Sequence, residues 1–94
     1  AMDRDDVVDE LNDLIETCKD GEYGFRTCAE QAKAPDLKQL FQQRAEGCRS
    51  AASELQAAVG RLGGTPDTGG SALGALHRGW VSVRETLSTM SDLA

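Results

Sequence analysis

The side chains best suited to chemistry in this 94-residue sequence are few: one histidine, one tryptophan and three cysteines. His77 and Trp80 stand three positions apart in GALHRGW, residues 74–80, with Arg78 between them. That turn could hold half a metal site, a ligand clamp or plain packing. Residues three apart project from one helix face, so a Glu-x-x-His pair can aim both ligands at one ion. A dinuclear carboxylate centre needs that motif from two helices and a further Glu from each of two others. Here the position three before His77 is Gly74. The comparable stretch of the second helix reads Glu46-Gly-Cys-Arg49, with a permanent cation where a ligand should stand. No motif is complete, so no metal, cofactor or catalytic set is expected. Glu22 and His77 are the two candidate ligands if a metal is found. His77, Arg78 and Trp80 are the candidate ligand or partner contacts.

Cys18, Cys28 and Cys48 form no Cys-x-x-Cys pair. An odd count without an export signal reads as reduced thiols filling narrow positions between helices. Cys18 should lie level with Cys48, and Cys28 should face Phe41. A Cys18–Cys48 disulfide would need α carbons within about 7 Å. Nucleophilic catalysis would need an adjacent base, and the single histidine sits elsewhere. In DGEYGF, residues 20–25, Gly21 and Gly24 each cost about 1 kcal/mol inside a helix. Close approach of a neighbouring helix, or a local bulge at a site, would account for them.

These residues must be positioned by helices. Apolar positions alternate by four and three along three segments, which is the stripe of a bundle helix. The first segment, near 3–33, has Asp3 as a cap and a stripe of Val7, Leu11, Leu14, Cys18, Gly21, Phe25, Cys28 and Ala32. Ala34-Pro35 ends it. The second, near 36–62, carries Leu37, Phe41, Arg44/Ala45, Cys48, Ala51, Leu55, Ala58 and Leu62, and stops at Gly63-Gly64. Residues 63–70 read as a flexible linker. The third, near 71–91, carries Leu73, Leu76, Trp80, Val83, Leu87 and Met90. Short connections imply an all-α, up-down-up antiparallel bundle occupying residues 1–94 as one domain.

A turn near residue 67 would place His77 level with Asp9, Asp13 and Glu16 of the first helix. Trp80 would then wedge opposite Leu55 and Ile15, and Arg78 would point to solvent or to those acids. In that register Glu22 and His77 lie about 15 Å apart along the axis and cannot share an ion.

The net charge of −6 is uneven: residues 1–36 hold eleven acids and four bases. An acidic first helix without a basic stripe argues against nucleic acid and against an anionic membrane surface. No apolar run approaches the roughly 18 residues of a membrane span, so a cytoplasmic location is expected. Ala1 before Met2 reads as the scar of a cleaved tag.

ELNDLIETCKDGEYGF at 10–25, RAEGCRSAASELQAAVGRLGG at 44–64 and GALHRGW at 74–80 together resemble a bacterial family. It is the ferritin-like four-helix-bundle family known as domain of unknown function 2383. The resemblance implies a ferritin-like fold and a fourth helix beyond residue 94, so the chain reads as truncated before it. The function expected is a non-catalytic bundle acting through self-association or an unidentified protein partner. The alternative is a di-iron or other metal-binding carboxylate protein completed by that fourth helix. A groove left for the missing helix, lined by Leu11, Phe25, Val83 and Leu87, implies a homodimer or higher homo-oligomer.

Overall fold

Asp3 opens the first helix. Its carboxylate accepts the Asp6 N–H at 3.0 Å, and the Asp3 N–H donates back to Asp6 Oδ2 at 3.4 Å, a reciprocal cap built from two aspartates. The structure, a computed structural model, describes residues 3–68 with Trp80, Val81, 83–86 and Thr89. Helix α1 runs Arg4–Gln31 and helix α2 runs Pro35–Arg61. All secondary structure among the described residues is helical, and Trp80, Val81, 83–86 and Thr89 have helical backbone.

The break between the helices is local chemistry. Ala32 and Ala34 are extended, as the residue before a proline prefers, and Pro35 takes the first turn of α2, where its missing N–H is no loss. At the far end Gly63 adopts φ +79°. The Gly64 N–H then reaches Val59 O and the Gly63 N–H reaches Gly60 O, both at 3.0 Å. This double bond is the Schellman stop, and the left-handed residue in it favours glycine. Gly64 also sits so close to Val8 that a Cβ there would lie 2.8 Å from a valine methyl.

The helices form an antiparallel hairpin. Gly21 lies against Cys48, the Phe25 and Phe41 rings are 6.3 Å apart, and Lys38 Nζ donates to Ala29 O at 2.7 Å near the turn. The fully buried residues are Ile15, Ala45, Ala52 and Val59, with Ala29 nearly so. Their spacing of seven on α2 marks one straight row facing α1. Small side chains in that row let the helices approach closely.

Two expectations fail here. Leu14 and Leu37 were assigned to the seams, yet they are 49% and 44% exposed. The buried row lies one position beside them, at Ile15 on α1 and at Ala52 and Val59 on α2, in line with Ala45, which is buried as expected. Each helix has more apolar residues than one contact uses, and the alanine row permits the closer packing. Of the residues expected to line a groove, Leu11, Phe25 and Val83 are half-buried, and Leu87 lies outside the described residues.

The start of the linker also departs from expectation. Asn12 donates to Thr65 O at 3.2 Å and accepts the Asp67 N–H at 2.8 Å. Gln56 donates to Asp67 O at 3.0 Å. Residues 64–68 are therefore a strap fastened along the hairpin, running from Val8 at Gly64 to Lys19 and Glu22 at Thr68. The backbone groups of the strap find partners on both helices, so polar, glycine-rich composition here does not mean a loose loop.

Candidate functional site

The strap runs along α1, and Trp80 lands further along that helix than expected. It does not sit opposite Leu55 and Ile15. Its indole lies on Gly24, and Nε1 donates to Asp20 Oδ1 at 3.2 Å. Asp20 and Gly24 are one helical turn apart on the same face, so one supplies the acceptor and the other the floor. A Cβ on Gly24 would stand 2.3 Å from Trp80 Cζ2 and 2.6 Å from Cη2. Next to it a Cβ on Gly21 would stand 2.9 Å from Cys48 Sγ. Both glycines of DGEYGF are thus explained by close approach, one to the indole and one to α2. An apolar hollow of about 170 Å³ remains between Gly21, Gly24, Phe25, Cys28 and Trp80.

On the other flank of the hairpin the charges pair. Arg26 donates to Glu22 Oε2 through Nε at 3.1 Å and Nη2 at 3.0 Å. The same guanidinium reaches Glu46 Oε2 of α2 at 3.6 Å, and Arg49 in turn donates to Glu46. The hydrogen bond from Arg49, with Arg26 adding its charge, holds the Glu46 carboxyl below the usual carboxylate range. Hydrogen bonding to Glu46 pushes the Arg49 guanidinium up. Apart from Glu22 these side chains are about half exposed, so each pair contributes little to stability on its own. Arg26–Glu46 is the pair that bridges α1 and α2. A hollow of about 240 Å³ beside them is lined by Lys19, Glu22, Tyr23, Arg26 and Thr68, a mixture of both signs of charge.

The strap brings two acids together. Glu16 shares a hydrogen bond with Asp67, and this bond, with the charge of Asp67, pushes the Glu16 carboxyl above its ordinary value. Burial pushes the Cys28 thiol up, and it pushes the Cys48 thiol up with help from nearby Cys18 and Glu22. Cys18 lies near Cys48, as expected, and the ring that meets Phe41 is Phe25. All three cysteines are free. A thiol with a raised pKa is a poor nucleophile at neutral pH.

Residues 6–94 match the model of a family described as domain of unknown function, DUF2383. The chain belongs to that family. It matches no curated protein and no solved structure.

Within this DUF2383 chain the candidates named from sequence are scattered in fate. Glu22 is committed to Arg26. Trp80 fills the socket on α1. His77 and Arg78 lie outside the described residues. Among the described residues no three His, Cys, Asp or Glu side chains gather into a metal-holding group. The expected level of Trp80, opposite Leu55 and Ile15, does not hold, since Trp80 seats at Asp20 and Gly24, and the separation of Glu22 from His77 lies outside the described residues. Sequence reasoning missed Asp20, Asn12 and Asp67. Asp20 carried a signal, being one turn before a helical glycine, but Asn12 and Asp67 are joined only by the fold.

Proposed function

We propose that this DUF2383 chain is a helical bundle of ferritin-like lineage that works by association and not by catalysis. Its setting is the bacterial cytoplasm, and its partners are other copies of itself, in a homodimer or higher assembly, or another protein. The observation that carries this reading is the exposure of large apolar side chains on long helices. Leu14, Leu37, Leu40 and Val81 are 36–49% exposed, while the charged groups between α1 and α2 already satisfy one another. Single exposed leucines are ordinary, but several on one hairpin favour a covering surface. Light scattering at micromolar concentration tests it. A mass of at least twice the 10.0 kDa chain is the expected result. A monodisperse monomer that retains no protein partner would overturn it.

The metal-binding reading draws support from one observation. Trp80, three residues after His77, seats beside the middle of α1, so the axial argument against a shared Glu22–His77 ion loses its basis. Against it stands Arg26, whose guanidinium a cation at Glu22 would have to displace. Titration with ferrous iron separates the two readings: a stoichiometric, tightly held pair of ions would favour the metal centre.

A further inference from the structure

Helix α2 carries more apolar surface than α1 covers. Ala45, Ala52 and Val59 form the row that α1 buries completely. Beside it runs a second pattern in which Leu37, Arg44, Ala51 and Ala58 recur every seven residues. Phe41, Cys48, Leu55 and Leu62 follow each of them by four. This alternation of four and three over four heptads is the seam of a two-helix coiled coil. Phe41 and Cys48 of this pattern already lie against Phe25 and Gly21 of α1, and the described residues leave the rest of it unfilled. Leu37 is 44% exposed, Leu40 beside it is 41% exposed, Arg44 is exposed, and Ala51, Leu55, Ala58 and Leu62 are only half-buried.

We propose that a second copy of the chain covers this seam, α2 against α2 and antiparallel, with the two-fold axis passing between Arg49 and Ser50. The proposal rests on the self-association reading above and names its surface. In this register Leu37 meets the partner's Leu62, and the partner's Ala58 lies level with Phe41. The partner's Ala51 lies level with Cys48, so small residues stand near the axis, where the helices approach most closely, and leucines close both ends. Arg44 decides the direction. A parallel pair would stack Arg44 on the partner's Arg44, two like charges on the seam. The antiparallel pair sets Arg44 beside the partner's Leu55 and Glu54, twice by symmetry. Arg44 and Glu54 are both exposed and neither has an ion pair among the described residues.

Charge reversal tests the surface and the register together. Arg44→Glu and Glu54→Arg each place like charges across the axis, and each should weaken the dimer by about tenfold or more in sedimentation equilibrium. The double variant R44E/E54R restores the pairing and should return to within about threefold of the parent. Residues 44 and 54 are about 15 Å apart on one helix, so the rescue can only operate between chains. Leu37→Lys should also favour the monomer. Circular dichroism confirms that these exposed substitutions leave the helices formed. A parent dimer untouched by every variant would overturn the surface while leaving self-association standing. Weakening by both single variants without rescue would overturn the antiparallel register. A parent that stays monomeric to hundreds of micromolar would overturn both this proposal and self-association.

Discussion

Gly21 and Gly24 of α1 and Gly47 and Gly60 of α2 are the same residue in the same kind of helix, yet they do different things. In α1 a Cβ at either position would strike a neighbour, the Trp80 ring at 2.3 Å or the Cys48 sulfur at 2.9 Å. In α2 a Cβ at either position meets nothing within 4 Å. The contrast locates the packing of the molecule. α1 is the central element, with α2, the strap and Trp80 each taking a different side of it. α2 meets α1 on one side and the strap at Gln56, and the described residues leave Gly47 and Gly60 uncovered. Helical glycines on α1 are spaces used by neighbours, and those on α2 are spaces that none of the described residues uses.

The sharpest way to break that contrast is to remove the indole. Trp80→Ala should destabilise the fold by about 2–3 kcal/mol, below the figure for a fully buried tryptophan because Trp80 is only half-buried. Gly24→Ala in the parent should cost about 1–3 kcal/mol by overpacking, read from urea midpoints at constant slope. Placed in the Trp80→Ala background, the same Gly24→Ala change should become neutral or stabilising, because only helix propensity is left. Equal costs in both backgrounds would mean that the indole is not what Gly24 accommodates.

The open glycines predict the opposite sign. Gly47→Ala should stabilise by about 0.5–1 kcal/mol, since the alanine gains helix propensity and meets nothing. Gly60→Ala, in the last turn, should gain less. A loss at position 47 that deepens with protein concentration would place the dimer contact there and not on the neighbouring seam.

The smallest expected effect lies in the strap. The Glu16 carboxyl is raised in the folded chain, so protonated Glu16 stabilises the fold below its unfolded value of 4.5, and that contribution is lost as pH rises through the folded value. At neutral pH Glu16 and Asp67 oppose each other. Glu16→Gln should therefore raise the melting temperature at pH 7, with the advantage over the parent vanishing below about pH 4.5. Glu46 behaves in the other direction: its lowered carboxyl stabilises above 4.5 and that stabilisation fades as pH falls through the folded value. Glu46→Gln should then be less stable than the parent at pH 7, the reverse of Glu16→Gln. The same sign for both variants would show that the strap acids are not paired as the geometry has them.

The sequence by itself determined α1 and α2 and their ends. Asp3, Pro35 and Gly63 act through their own backbone and nearest neighbours, so their effects are readable without knowing the fold. It also announced that Gly21 and Gly24 needed a reason, because an unfavourable helical residue implies a compensating contact. Only the tertiary structure decided which flank of each apolar stripe is buried. The stripes are wide enough for two rows, and the choice of Ile15 over Leu14 and of Ala45, Ala52 and Val59 over Leu37 depends on how closely two helices can approach. The level of Trp80 was likewise undetermined, because it follows from the path of the strap. That path is set by hydrogen bonds between Asn12 and residues 65 and 67, more than fifty positions away in sequence, and no local propensity encodes a pairing at such separation.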